Sequence, residues 1–141
     1  MDKHILIVDD EEMIRELLSS ALLQEGYICH QAANVDDAFL VLDEQRVDLV
    51  ISDIMMPGRS GVELLRDLKK IDPDITVLMI TALDQNHDIA RAVEAGTNDF
   101  LTKPINKAEL LLRIKAALAS RKQVDPLEQT LAYFDAVQAA C

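Results

Sequence analysis

The stretch HILIVDDEE, residues 4–12, passes from four consecutive apolar residues directly into four consecutive acids. The run ILIV is typical of a strand buried on both faces, as in a parallel sheet that is covered by helices. Carboxylates placed side by side at the end of such a strand repel each other, and burial removes their hydration. We therefore expect a positively charged group at the end of this strand.

Short apolar strands of the same kind recur along the chain, and a helical pattern follows each one. Strands are predicted at residues 5–8, 27–32, 47–52, 76–81 and 99–102. The segments DLVIS and TVLMIT are continuously apolar inside, which favours a parallel sheet with both faces covered. Five such units predict an α/β fold with a doubly wound five-stranded parallel sheet in the flavodoxin-like order 2-1-3-4-5 and helices on both faces.

Local signals indicate where the helices begin and which face they bury. The first helix carries one predicted apolar stripe, made of Ile14, Leu17, Leu18 and Ala21. The second and fourth helices are predicted at about residues 34–44 and 86–95. Two capping boxes, each an N-cap oxygen with a carboxylate three residues later, open the third and fifth helices: Ser60 with Glu63, and Asn106 with Glu109.

The pattern changes after residue 121, which divides the chain into a domain at residues 1–121 and an extension at residues 122–141. The segment DPLE at residues 125–128 has the cap, first-turn proline and early acid of a helix start, so an extra C-terminal helix is predicted. Its predicted apolar stripe consists of Leu127, Leu131, Phe134 and either Val137 or Gln138. This stripe either packs on its own domain, forms a dimer seam or begins a linker to an output domain.

Composition excludes several classes of function. A net charge of −11 repels phosphate backbones, so this chain by itself is not expected to bind nucleic acid. No apolar run approaches the ~20 residues that span a bilayer, and the amino terminus lacks the features of a secretory signal, so we expect a cytoplasmic protein with no membrane contact. The cysteines and histidines are scattered along the sequence and suggest neither a disulfide framework nor a zinc site: Cys29, Cys141, His4, His30 and His87.

Polar residues follow four of the five predicted strands, at their carboxyl ends. These residues are Asp9 and Asp10 after the first strand, Asp53 after the third, Thr81 at the end of the fourth, and Lys103 with Pro104 after the fifth. Such ends meet at the edge of the sheet where ligands bind. Clustered carboxylates without nearby Cys or His favour Mg²⁺. A metal beside a carboxylate, a hydroxyl and an ammonium predicts phosphoryl transfer, with Asp53 as nucleophile and with Thr81 and Lys103 contacting phosphoryl oxygens.

Four segments, ILIVDDEE, DLVISDIMMPGRSG, VLMITA and DFLTKP, resemble in order and spacing the successive motifs of the response-regulator receiver domain of bacterial two-component signalling. The resemblance covers about residues 3–121. It implies that Asp53 accepts a phosphoryl group from a sensor histidine kinase or a histidine phosphotransfer protein. It also implies that Asp10 binds Mg²⁺ directly, Asp9 through a water and Met55 through its backbone carbonyl, and that the Lys103–Pro104 bond is cis.

By the same likeness, Thr81 and Phe100 form a switch that reshapes the surface of the fourth helix, fifth strand and fifth helix. A homodimer is a possible consequence, through this surface or through the C-terminal helix. Tyrosine is frequent at the switch position in the family, whereas Phe100 has no hydroxyl for a polar readout. Met55 and Leu83 stand at positions that tune the loss of the phosphoryl group to water. Both are apolar, which predicts slow self-dephosphorylation.

Two other classes that share parts of this pattern fit less well. A haloacid-dehalogenase-like phosphatase needs a second acid two residues after the nucleophile, where this chain has Met55. A flavodoxin-like cofactor binder needs a first loop that holds a phosphate, which the acids at residues 9–12 would repel. We therefore expect a protein that catalyses only its own phosphorylation and dephosphorylation. It is either the receiver part of a longer regulator, which we favour, or a stand-alone receiver that acts by protein–protein contact.

Overall fold

The computed structural model describes residues 2–82 and 86–121 of the chain. Strands and helices alternate along these residues in the order β1 His4–Val8, α1 Glu12–Gln24, β2 Ile28–Ala32, α2 Val35–Glu44, β3 Leu49–Asp53, α3 Gly61–Ile71, β4 Thr76–Thr81, α4 Asn86–Ala95, β5 Asp99–Thr102 and α5 Lys107–Arg121. The predicted C-terminal helix and Leu83 lie outside the described residues. None of the helices within the described ranges is long and apolar enough to cross a membrane.

The five strands form one parallel sheet in the order β2-β1-β3-β4-β5, which confirms the predicted doubly wound topology. In the register of the central strands, Val8 lies beside Ser52 and Asp53 lies beside Ile80. The carboxyl ends of β1, β3 and β4 therefore meet at one edge. β3 ends at Asp53 itself, one residue later than the predicted strand.

Each face of the sheet is covered by its own apolar core. Leu6 and Val8 point to the face covered by α2, α3 and α4, whereas Ile5 and Ile7 point to the face covered by α1 and α5. This alternation places apolar side chains on both faces, which is why the strand sequences are continuously apolar. The central strand β3 is buried along its whole length.

The apolar stripe predicted for α1 is wrong at one position. Leu18 and Leu22, one turn apart, are fully buried, and Ile14 packs partly against the same core. The side chain of Leu17 is 61% exposed, because the buried strip is narrow and centred on Leu18 and Leu22.

Each capping box, of α3 and of α5, forms only one of its two expected hydrogen bonds, the one accepted by the N-cap side chain. Ser60 accepts a hydrogen bond from the Glu63 main-chain N–H at 3.2 Å, and Asn106 accepts one from the Glu109 N–H at 3.0 Å. The carboxylates that were expected to complete each box bind arginines instead. Glu63 accepts from Arg59 and Glu109 accepts from Arg113, and a charged partner makes the stronger hydrogen bond.

Two histidines that lie far apart in the sequence are neighbours in the fold. His4 Nδ1 lies 2.9 Å from His30 Nε2, and the ring centres are 5.2 Å apart with an angle of 11° between the planes. The parallel register explains this contact, because Leu6 pairs with His30 and His4 lies on the same face two residues earlier. These two histidines therefore pack on each other, although 26 residues separate them in the sequence.

Candidate functional site

Three carboxylates converge at the edge of the sheet where β1 and β3 end. One carboxylate oxygen from each of Asp9, Asp10 and Asp53 lies within 4.8 Å of the other two. Asp9 has no exposed surface and Asp53 is 4% exposed, whereas Asp10 is open to solvent. Because β1 and β3 are adjacent and in register, the acids that follow Val8 and Ser52 are brought together. The predicted convergence of these three residues is present in the structure.

The Asp9 carboxylate is held through only one of its oxygens. Oδ1 accepts a hydrogen bond from the Glu11 main-chain N–H at 2.8 Å, and the buried Oδ2 has no hydrogen-bond partner among the described residues. Burial is the main cause that raises the pKa of Asp9 to about 6, and the charges of Asp53 and Asp10 add to it. The Glu11 N–H and Lys103 act in the opposite direction. A buried oxygen without a partner is a costly feature that a ligand would relieve.

Asp53 faces the one basic side chain that the sequence predicts for this edge. Lys103 Nζ lies 3.1 Å from Asp53 Oδ2, and the main-chain N–H of Met55 donates to Asp53 Oδ1 at 3.3 Å. Burial raises the pKa of Asp53, while the hydrogen bond and charge of Lys103 lower it in part. The Lys103–Pro104 peptide bond is cis, and the Lys103 N–H donates to the Thr81 carbonyl at 2.9 Å.

Thr81 lies on β4, the strand beside Asp53, and Phe100 lies on β5, one strand further from Asp53. Thr81 is fully buried at the end of β4, and its hydroxyl donates to the Ala82 carbonyl at 3.1 Å. Phe100 pairs in register with Met79 of β4 and packs, half-buried, against the core beneath α2, α3 and α4. Met55 follows Asp53 by two residues, and its side chain is 51% exposed. Apart from Phe100, which lies within β5, the residues predicted for this site lie at the strand ends or on the segments that follow them.

Two residues that the sequence analysis did not single out also contact the site. Arg15 of α1 donates from Nη1 to the main-chain carbonyl of Asp9 at 2.7 Å. Gly61 begins α3 so close to β3 that a Cβ atom there would lie 2.1 Å from the Asp53 carbonyl oxygen. Arg15 and Gly61 both approach main-chain carbonyl oxygens, and no sequence motif indicates contacts of this kind. Only the glycine that follows the Ser60 cap offers a weak signal.

The donor set fits a hard divalent cation. Its side-chain ligands are all carboxylate oxygens, the buried Oδ2 of Asp9 is available, and a cation would offset the repulsion among the three acids. Lys103 already neutralises part of the charge on Asp53 but leaves the Asp9 pKa raised. The cluster could therefore hold a metal of the Mg²⁺ type beside a carboxylate that pairs with an ammonium group.

Comparison with known proteins agrees with this arrangement. The sequence profile of the family described as response regulator receiver domain matches residues 5–115. The chain belongs to this family. The receiver is 42% identical over 118 residues to the phosphate regulon transcriptional regulatory protein PhoB of Pseudomonas aeruginosa, which covers 82% of this chain and 52% of the relative. The PhoB of Escherichia coli is 37% identical over 129 residues, or 90% of this chain and 55% of the relative. The chain spans about half the length of these curated relatives.

Solved structures of receivers have the same fold. A CheY-like response regulator receiver domain protein from Methanospirillum hungatei superposes with a TM-score of 0.82 at 30% identity, covering 86% of this receiver and 98% of that chain. NtrX from Brucella abortus gives a TM-score of 0.83 at 31% identity, covering 94% of this receiver but 30% of that chain. The same fold thus occurs both as nearly a whole chain and as part of a longer one.

Proposed function

We propose that this receiver transmits a signal by accepting a phosphoryl group on Asp53, with Mg²⁺ bound, from a phosphohistidine of a sensor histidine kinase or a histidine phosphotransfer protein. The observation that carries the proposal is the pairing of the buried Asp53 carboxylate with Lys103 at 3.1 Å beside two further acids within 4.8 Å. An isolated buried acid would favour a structural role, whereas this combination provides both a nucleophile and cationic neutralisation.

In the proposed transfer, an Asp53 carboxylate oxygen attacks phosphorus and the bond from phosphorus to the donor imidazole nitrogen breaks. The product is an acyl phosphate, and the released imidazole keeps its bonding electron pair. The Lys103 ammonium moves its interaction from Asp53 to a phosphoryl oxygen, and the Thr81 hydroxyl donates to another. Asp9, Asp10, Asp53 and the Met55 carbonyl would hold Mg²⁺, which supplies neutralisation of phosphoryl charge when bound.

The proposed readout uses the residues next to the site. Turning the Thr81 hydroxyl from the Ala82 carbonyl towards a phosphoryl oxygen would open space on the β4 side, into which the half-buried Phe100 ring moves. This movement changes the surface formed by α4, β5 and α5, where a partner or a second copy would bind. The receiver acts on no other substrate in this proposal.

We further propose that the chain is the receiver part of a longer cytoplasmic regulator. The support is that the chain spans about half of the PhoB relatives, which are named as transcriptional regulatory proteins. Because the chain carries a charge of −11, any contact with DNA would belong to another domain. The second candidate is a stand-alone receiver that works by protein–protein contact. It is favoured by the CheY-like neighbour, of which this receiver covers 98%.

The chemistry is tested by incubating the full chain with Mg²⁺ and acetyl phosphate and measuring intact masses. The native chain is expected to gain one phosphoryl group, and the Asp53→Asn variant is expected to gain none. Removal of Mg²⁺ with a chelator should prevent labelling of the native chain. The proposal fails if the native chain stays unlabelled by acetyl phosphate and by a phosphohistidine donor under conditions that label another receiver.

A further inference from the structure

The polar atoms of Asp9 are almost completely accounted for by contacts within the fold. Its main-chain N–H donates to the Ala32 carbonyl at 3.1 Å, and its Oδ1 accepts from the Glu11 N–H at 2.8 Å. Its carbonyl oxygen accepts from Arg15 Nη1 at 2.7 Å. Only Oδ2 has no partner among the described residues. Asp9 is thus held on three sides, with one buried oxygen left for a ligand.

Of the three hydrogen-bond partners that hold Asp9, Arg15 alone acts through its side chain. Ala32 and Glu11 act through main-chain atoms, which a substitution leaves in place. The guanidinium of Arg15 is itself oriented, because its Nε donates to the Gln31 side-chain oxygen at 3.3 Å. Gln31 in turn donates from Nε2 to the Ser19 hydroxyl at 3.0 Å.

This network links α1 to β2 beside the end of β1. Arg15 and Ser19 are one turn apart on α1, and Gln31 of β2 lies between them while pairing in register with Ile7 of β1. Ser19 is 5% exposed, so the far end of the network is anchored inside the protein. The network therefore fixes the direction from which Arg15 approaches the Asp9 carbonyl.

We propose that Arg15 is a positioning residue for the Mg²⁺ site, acting through the main chain of Asp9. This inference rests on the proposed function, since it concerns the same site. By holding the Asp9 peptide, Arg15 keeps the Asp9 carboxylate facing Asp10 and Asp53 against their mutual repulsion. Without it, the carboxylate relaxes away, and cation binding must restore the geometry.

The residue type matters for this role. The planar guanidinium directs separate N–H groups to the Asp9 carbonyl and to the Gln31 oxygen in a fixed geometry. A lysine has the same charge but a single ammonium group on a flexible chain. Arg15→Lys therefore keeps the charge near the site and loses the fixed direction, which separates positioning from simple electrostatic attraction.

The test is calorimetric titration of Mg²⁺ into the full chain and its variants. Arg15→Ala is expected to bind Mg²⁺ about tenfold more weakly than the native chain, the usual loss when a group that orients a metal ligand is removed. Arg15→Lys and Gln31→Leu are expected to lose affinity in the same direction. The matched control is Arg66→Ala, which removes an exposed arginine from α3 and should bind Mg²⁺ like the native chain.

Phosphorylation by acetyl phosphate provides a second readout. The Arg15→Ala variant should need about tenfold more Mg²⁺ for half-maximal labelling and should reach the native rate at saturating Mg²⁺. If this variant does not fold, Arg15→Lys and Gln31→Leu decide the question. Native Mg²⁺ affinity in the folded variants overturns the inference and leaves the proposed function standing. If the native chain binds Mg²⁺ no better than Asp10→Asn does, the proposed function fails as well.

Discussion

At the scale of single residues, the buried charge of Asp9 makes the cation-free protein sensitive to pH. The pKa of Asp9 is about 6 in the fold against an ordinary 3.8, so its contribution to stability is present below pH 4 and is lost as the pH rises through 6. In a chelator, we expect the free energy of unfolding to fall by up to about 3 kcal/mol between pH 4 and pH 7 from this group. Urea unfolding at several pH values measures the change.

The Asp9→Asn variant isolates this contribution from the other titrating groups. Burial and His4 lower the pKa of His30, so His30 contributes stability that is lost on acidification, opposite to Asp9. At pH 7 in a chelator, Asp9→Asn should be more stable than the native chain by about 1–3 kcal/mol, and Mg²⁺ should stabilise it less than the native chain. A variant of native or lower stability under these conditions would contradict the buried-charge explanation.

Met55 is expected to determine how long the phosphoryl group lasts. Its thioether is half-exposed beside Asp53 and cannot orient an attacking water as an amide can. Met55→Asn should shorten the lifetime of the phosphorylated chain by about tenfold, followed by intact mass after the donor is removed. Met13→Asn, an exposed position on α1, is the control and should leave the lifetime unchanged. Equal lifetimes in the native chain and Met55→Asn would contradict the prediction.

The acidic and basic residues of the site could be predicted from the sequence, because the strand order alone brings the carboxyl ends of their strands together. Asp53 ends a strand of the parallel sheet, and Asp9, Asp10 and Lys103 follow strands of it, so their convergence could be predicted without knowledge of side-chain packing. Arg15 could not be predicted in the same way. Its partner is a main-chain oxygen, and the contact depends on how α1 and β2 pack beside β1.

At the scale of elements, α3 begins very close to the end of β3. Gly61 donates its N–H to the Ile54 carbonyl at 2.9 Å, and a Cβ there would overlap the Asp53 carbonyl, which cannot rotate away. We expect Gly61→Ala to cost about 1–3 kcal/mol of stability and to slow phosphorylation, because α3 or the Asp53 backbone must move. Chemical unfolding and the rate of mass gain with acetyl phosphate measure the two effects.

Gly26 provides the control for this variant. It follows α1 with φ of +90° and open space around its Cα, so Gly26→Ala costs about 1–2 kcal/mol through backbone strain alone. Phosphorylation of the folded Gly26→Ala chain should be unchanged. If both variants label equally fast, the contact of α3 with β3 does not position Asp53.

The periodicity of the sequence predicts which segments are strands and which are helices. The structure differs from the prediction where contacts between elements determine the position of a side chain. The strands and helices follow the sequence pattern, and Asn34 and Ser60 cap α2 and α3 with their side chains. The exposure of Leu17 and the contact of His4 with His30 depend on helix rotation and strand register instead. The four apolar residues predicted for α1 mark one side of the helix, but their spacing does not indicate which of them contacts the sheet.

At the scale of the whole molecule, the helices that precede and follow β5 in the chain each carry an exposed apolar side chain. Val93 on α4 is 58% exposed and Leu112 on α5 is 70% exposed. The half-buried Phe100 lies on β5, the strand that stands between these two helices in the chain. A change at Phe100 would therefore reach a surface with apolar anchors, which is where we expect a phosphorylation-dependent homodimer.

This expectation is tested by sedimentation of the native chain with and without phosphorylation. Phosphorylation should tighten self-association, and Leu112→Asp should weaken the dimer by at least about tenfold, since a charge at an apolar anchor costs more than 1 kcal/mol. Leu40→Asp, 62% exposed on α2, is the matched control and should dimerise like the native chain. If Leu112→Asp still dimerises and a chain shortened to residues 1–121 does not, the extension carries the contact. The α4-β5-α5 surface is then left for a different partner, because its exposed side chains would remain free in the dimer.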